Sequence, residues 1–281
     1  MKPTISIICP LYNAEDYILK FHESLLKQKN VNILEYKYIM TESNDNTEAL
    51  LKTNNIPYEK IKKKEFSHSL TREKAAMSAK GNILVFLTQD VEIRDDNFLE
   101  KLIAPIINNE ASASYARQIA KHNNIEKYTR EYNYPTKSHI VSKKDIPKLG
   151  LKTFFFSDAA SAINTKVFKD LKGYDGKDLP TNEDMYFAYK LIINGYKIKY
   201  CAVAKCYHSH NFTLRQLYNR YKLIGQFMNQ NPKIAKHGTT RAGGNLAKYT
   251  LKKALININI KVLFTYPFNM VVRYLGMRAG K

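Results

Sequence analysis

The strongest constraint on the fold is an alternation in the first hundred residues. "TISIICP" is a short apolar run closed by proline and reads as a buried strand. "AEDYILKFHESLLKQ" then carries apolar residues at helical spacing. "ILEYKYIM" reads as a second strand, "DNTEALLKTNN" as a helix capped by Asp45, and "IPYEKI" as a third short strand. "SLTREKAAMSAKG" predicts a helix started by Ser69 and stopped by Gly81. "NILVFL" is a fourth strand and "DNFLEKLIAPIIN" a further helix. Strands alternating with helices predict an α/β fold, a parallel sheet whose ligands gather at the carboxyl ends of the strands.

The pattern changes further on. Residues 121–156 are polar and irregular, and predict long loops over the site. "ASAINT" reads as a short strand, "TNEDMYFAYKLIINGYKIKY" as a helix followed by a strand, and "TLRQLYNRYKLIGQFM" as an amphipathic helix. From Asn231 onward the chain is basic and aromatic.

Charge divides the chain more sharply than hydropathy does. The net charge is +20, yet no Asp or Glu follows Asp184, while Met185 to Lys281 holds seventeen Lys and Arg. A segment of this kind seeks an anionic surface. No nucleic-acid recognition motif accompanies it, so nucleic acid is not the expected partner. Cys9, Cys201 and Cys206 are too few for a disulfide framework, and no C-x-x-C spacing exists. The start "MKPTISIICP" is punctuated too early for a signal peptide, and no run approaches the ~18 apolar residues of a membrane span. A cytoplasmic protein is expected.

Several residues can carry chemistry at the predicted strand ends. In "LVFLTQDVEI" a buried strand runs into Asp90, and an unpaired buried carboxylate is costly. Asp90 is either a turn residue or an oxygen ligand for a hard divalent cation. Pro10, Tyr12, Asn13 and Glu42 sit at equivalent ends. "PTNEDMYF" places Glu183 and Asp184 at a helix start, where Thr181 and Asp184 form a capping-box pattern. The alternative is a general base for a hydroxyl proton. His208 and His210 would face one way on a strand and could hold metal or phosphate. His68, Thr71 and Arg72 surround another helix start, a setting suited to anions, or to ordinary capping.

Taken in order, these segments resemble a known family. "ISIICPLYNAEDYI", "FSHSLTREKAAMSAKGNILVFLTQDVEIRDDNFL", "FFFSDAASAINTKVF" and "GYDGKDLPTNEDMYFAYKLIINGYKIKY" are similar to the inverting family-two glycosyltransferases, most of all the bacterial rhamnosyltransferases. The resemblance spans roughly residues 3 to 230, and T-Q-D with the upstream H-x-x-T-R is its specific part. It implies a GT-A fold, a mixed and mostly parallel sheet flanked by helices, over residues 1–230, with 231–281 as a basic helical extension.

The resemblance also implies roles. Pro10, Tyr12, Asn13 and Glu42 would line the base and ribose pocket; His68, Thr71, Arg72 and Gln89 would lie near the donor. Asp90 and His208 would hold Mg2+ or Mn2+ against the diphosphate; Asp184, with Glu183 beside it, would be the base; Asp158 would lie on the acceptor side. The implied donor is dTDP-L-rhamnose and the acceptor a lipid-linked bacterial polysaccharide. A UDP-hexose donor or an inactive scaffold are the alternatives. The tail, with Tyr, Leu, Ile and Phe among its Lys and Arg, is expected either to lie on an anionic membrane at the inner face of the cell or to pack on the catalytic domain.

Overall fold

A computed structural model describes residues 3–281. Its strands are β1 (Thr4–Leu11), β2 (Asn32–Thr41), β3 (Glu59–Ile61), β4 (Ile83–Leu87), β5 (Ala113–Ile119), β6 (His139–Val141), β7 (Ala160–Asn164) and β8 (Ile198–Tyr207). The helices of the first part are α1 (Ile18–Leu26), α2 (Thr47–Thr53), α3 (His68–Met77), α4 (Phe98–Ile107), α5 (Ile125–Asn133), α6 (Ile146–Leu149) and α7 (Thr165–Asp170). Five more follow: α8 (Glu183–Ile193), α9 (Leu214–Gln230), α10 (Pro232–Ala235), α11 (Thr239–Ile256) and α12 (Ile260–Ala279).

All eight strands join one sheet in the order β3-β2-β1-β4-β7-β5-β8-β6. The expected parallel alternation holds for β1 to β4, and β5 is parallel to β8. Strand β7 runs antiparallel to both β4 and β5, and β6 antiparallel to β8. This antiparallel insertion decides the geometry of the site. The start of β7 lies beside the ends of β4 and β5, so residues before β7 and residues after β4, β5 and β8 share one edge of the sheet.

Side-chain alternation splits the core into two layers. In β4, Leu84 and Phe86 enter one layer with Ala76, Phe168 and Phe187 of α3, α7 and α8. Ile83, Val85 and Leu87 enter the other with Phe21, Leu51 and Leu102 of α1, α2 and α4. A strand buried on both faces needs an unbroken apolar run, and "ILVFL" supplies it.

Three local expectations are corrected. Helix α3 starts two residues earlier than read, because Ser67 is its N-cap and accepts from the Leu70 N–H at 3.2 Å. Ser69 is turned away instead, donating to the Lys177 carbonyl at 2.6 Å and accepting from the Leu179 N–H at 2.8 Å. Gly81 does not cap the helix; a Cβ there would lie 2.6 Å from the Ser6 backbone nitrogen, so glycine admits the close passage of β1. Residues 121–156 are not simply loops: α5, β6, α6 and two short 3-10 turns lie within them. Asp45 does hold the start of α2, accepting from the Thr47 N–H and hydroxyl at 3.1 and 2.6 Å, although Asn46 occupies the cap position.

Candidate active site

The first corner of the site forms where β1, β2 and β4 end. Asn13, at φ 46°, folds the chain back after β1, and its side-chain oxygen accepts from the Asn44 N–H at 3.1 Å. Its own N–H donates to the Ser43 hydroxyl at 3.0 Å, zipping the turns after β1 and β2 together. Gln89 clamps the turn after β4 to the same place: its amide accepts from the Tyr12 N–H and donates to the Tyr12 carbonyl, both at 2.8 Å. With both ends of that amide engaged, Gln89 positions Tyr12. The Tyr12 ring is left exposed, with Lys63 at 3.1 Å from its hydroxyl. Glu42 is exposed beside it, while Pro10 is half-buried in β1.

Asp90 follows, and the structure brings both histidines to it. His208 and His210 lie beyond the end of β8 rather than on it, with ring centroids 4.7 Å apart. His208 Nε2 is 3.3 Å from Asp90 Oδ2, and His210 Nδ1 is 3.8 Å from the same oxygen. Donor atoms of the three residues all lie within 4.8 Å of one another.

The surroundings of His208 test whether a cation fits. His208 Nδ1 is 2.9 Å from Gln118 Oε1. That oxygen also accepts from Arg130, and Gln118 Nε2 donates to the Ser157 hydroxyl at 2.9 Å, so the amide orientation is fixed. Gln118 therefore presents only an acceptor, and the imidazole proton belongs on Nδ1. The Nε2 lone pair then faces a carboxylate. Burial opposes protonating His208, and pulls His210 down to about 4. Burial raises the Asp90 carboxyl, while contact with His208 and charge on the two rings lower it well below the usual range; with both rings neutral, a bound cation would supply that charge. A neutral imidazole and an ionised carboxylate facing each other fit a hard divalent cation, with Gln118 as the partner that fixes the ligand's tautomer.

The second corner gathers charge from segments far apart in sequence. Arg72, 4% exposed, points from α3 and lies 3.3 Å from Glu183 at the start of α8, itself 8% exposed. The Arg72 guanidinium also donates to the His68 carbonyl at 2.9 Å, while its Nε has no protein partner. Thr71 is buried, its hydroxyl accepting from the Ser67 N–H at 3.1 Å. The His68 side chain is exposed.

Asp158, expected on the acceptor side, is 2% exposed. Its oxygens accept from the Ser161 and Tyr174 hydroxyls, both at 2.7 Å, so it acts on the site through its charge. Burial first, then the negative charge of Glu183, raises its pKa to about 6 against the opposing pull of Arg72. Asp184 is partly exposed. Burial, then Glu183, then Asp158 push its carboxyl well above the ordinary aspartate range. Three carboxylates thus share one buried guanidinium.

The capping box read from Thr181 and Asp184 does not form. Asn182 takes the cap position in the left-handed region at φ 60°, and its side chain makes no cap bond. The Thr181 hydroxyl donates to Asn182 instead, at 3.1 Å. Glu183 is thereby left to face Arg72, while Asp184 Oδ1 accepts from the Met185 N–H at 2.7 Å and its other oxygen makes no hydrogen bond among the described residues.

The two corners share a neighbour. Burial raises the pKa of the Tyr134 hydroxyl; Arg130 opposes this, and Asp184 adds to it more weakly. Gln118, Arg130, Ser157 and Tyr174 all escaped the sequence reading, which placed no strand over β5, where Gln118 lies.

Known proteins show the family and the fold. The pattern of glycosyl transferase family 2 matches residues 6–172. The chain belongs to that family. It is 34% identical to O-antigen chain rhamnosyltransferase WbaN of Salmonella anatum, an alignment covering 99% of this chain and 90% of that protein. It is 32% identical to O-antigen chain rhamnosyltransferase RfbN of Salmonella typhimurium, covering 99% and 89%. Among solved structures, the mannosyltransferase PcManGT of Pyrobaculum calidifontis, in complex with GDP-Man and Mn2+, superposes with a TM-score of 0.67 at 12% identity, covering 100% of this chain and 87% of that one. S. aureus TarS 1-349 with UDP-GlcNAc gives 0.57 at 16% identity, covering 100% and 89%. The family-two transferase is thus a GT-A fold.

Proposed function

We propose that this family-two transferase moves L-rhamnose from dTDP-L-rhamnose onto a hydroxyl of a growing, lipid-linked bacterial surface polysaccharide, with inversion at the anomeric carbon. Kinship over 99% of the chain with two O-antigen chain rhamnosyltransferases supports the sugar and the acceptor class. The grouping of Asp90 with His208 and His210 in one corner, and of Asp184 with Glu183 and Arg72 in the other, supports the mechanism, and the kinship is the observation that carries the reading.

Asp184 takes the proton of the acceptor hydroxyl as that oxygen attacks the anomeric carbon. The bond to the donor's diphosphate oxygen breaks, and its electron pair leaves with the nucleoside diphosphate. One displacement without a covalent enzyme intermediate inverts the configuration. Burial and Glu183 raise the basicity of Asp184, and Arg72 lies 3.3 Å from Glu183 beside it. Asp90, His208 and His210 would hold Mg2+ or Mn2+, which offsets charge on the departing diphosphate when bound. Gln118 and Arg130 orient His208 for that task.

The test is nucleoside diphosphate release from dTDP-rhamnose and from UDP-sugars, with Mn2+ or Mg2+ and then with chelator. Metal-dependent release of dTDP alone, lost in Asp90→Ala and Asp184→Asn, is expected. Release of UDP instead would replace the donor and keep the mechanism. Turnover that survives Asp184→Asn would overturn the assignment of the base.

A further inference from the structure

Helix α12 has one face spoken for and one free. The inner face is clamped to α9 by close backbone contact. A Cβ at Gly276 would lie 2.6 Å from the Tyr218 carbonyl oxygen, and one at Gly280 would lie 2.1 Å from that of Lys222. Arg273 reaches across from the same face to the Tyr221 hydroxyl at 2.8 Å. Val262 and Tyr266, also inward, pack against Tyr128 of α5. The outer face carries Ile260, Phe264, Phe268, Val271 and Leu275, spaced by four, four, three and four residues along one side of the helix. They are between 50% and 73% exposed. Such a contiguous apolar stripe on a water-facing helix marks an interaction surface.

Charge decides what covers it. Lys261 and Arg278 project within the same arc of the helix and are exposed, and the end of α11 exposes Leu255 and Ile256 and the turn before α12 exposes Ile258. No acidic residue follows Asp184. A second copy docking through this stripe would bring two uncompensated basic faces together. No helix among the described residues is long and apolar enough to cross a membrane. We propose that the outer face of α12, with the turn that precedes it, docks on the surface of an anionic phospholipid bilayer: the apolar stripe enters the headgroup boundary and the flanking cations meet lipid phosphates. Packing on the catalytic domain and contact with a membrane are then not alternatives, since opposite faces of one helix do each. The clamp gives the contact a purpose. Helix α9 begins four residues after His210, so a bilayer bound to α12 holds the transfer site at a fixed height.

The inference does not depend on which sugar is transferred, and its test needs no donor. Full-length protein is floated with phosphatidylcholine vesicles and with mixed phosphatidylcholine–phosphatidylglycerol vesicles. It is expected to rise with the mixed vesicles, less so at high salt. The triple variant Phe264→Glu, Phe268→Glu, Leu275→Glu is expected to bind them about tenfold or more weakly. Its unfolding temperature and its calorimetric binding of nucleoside diphosphate should match wild type, because every altered side chain is exposed. Equal flotation of variant and wild type would overturn the proposal. So would wild-type protein that ignores both vesicles but forms a dimer which the variant dissolves.

Discussion

Asp90 and Asp184 lie at the same edge of the same sheet, and their surroundings drive them in opposite directions. At Asp90, positive charge placed between the carboxylate and two histidines offsets burial and favours the ionised form. At Asp184, burial and two acidic neighbours outweigh the Met185 N–H and Arg72 and favour the proton. One side-chain type is therefore suited to the proposed role of a ligand for positive charge in one corner and to that of a proton acceptor in the other. The division of labour lies in the neighbours, so changing the neighbours is the way to break it.

The largest effect is expected at the base itself. Asp184→Asn should lower the rate of sugar transfer by about 10²–10⁴-fold, the usual worth of a positioned acid or base, with donor binding by calorimetry unchanged. Next comes Arg72→Met, which leaves Glu183 buried without its partner. Breaking a buried pair costs about 3–5 kcal/mol, measurable by chemical denaturation. Gln118→Leu should act only on the other corner. It removes the acceptor that fixes the His208 tautomer and should weaken divalent-ion affinity by about 10–100-fold, with the acid limb of the pH–rate profile unmoved.

The smallest effect sharpens the contrast most. Asp158→Asn removes a negative charge that raises Asp184, so the acid limb of the pH–rate profile should move to lower pH. The same group has a stability signature. Between the ordinary aspartate range and about 6, the folded protein keeps an Asp158 proton that the unfolded chain has lost. Its contribution to stability therefore falls as pH rises through that window, and Asp158→Asn should flatten the fall. An acid limb that stays in place would show that Asp158 only packs.

What the sequence revealed follows from how local each signal is. Asp90 was legible because an all-apolar strand that runs into a carboxylate is a contradiction within ten residues. The four parallel strands and their helices were legible by periodicity. Residues 121–156 were not, because the buried face of α5 is built on Ile125 and Tyr128 among charges and acquires its partners, Ala254 and Val262, over a hundred residues later. The capping box at Thr181 failed for a related reason: a left-handed Asn182 was available, and Glu183 meets an arginine on a distant helix. Nothing in "YARQ" alone says that Gln118 will meet His208; the parallel pairing of β5 with β8 says it.

That pairing also governs how the protein can be made. Strand β8 sits between β5 and β6, although it is the last strand to leave the ribosome. Until it arrives, β5 is an unsatisfied edge and β6 has no sheet to join. A chain halted before residue 207 presents an open row of amide and carbonyl groups, the setting in which strands of different molecules pair. Since His208 follows directly, the nascent chain completes its sheet and its cation corner almost in the same moment.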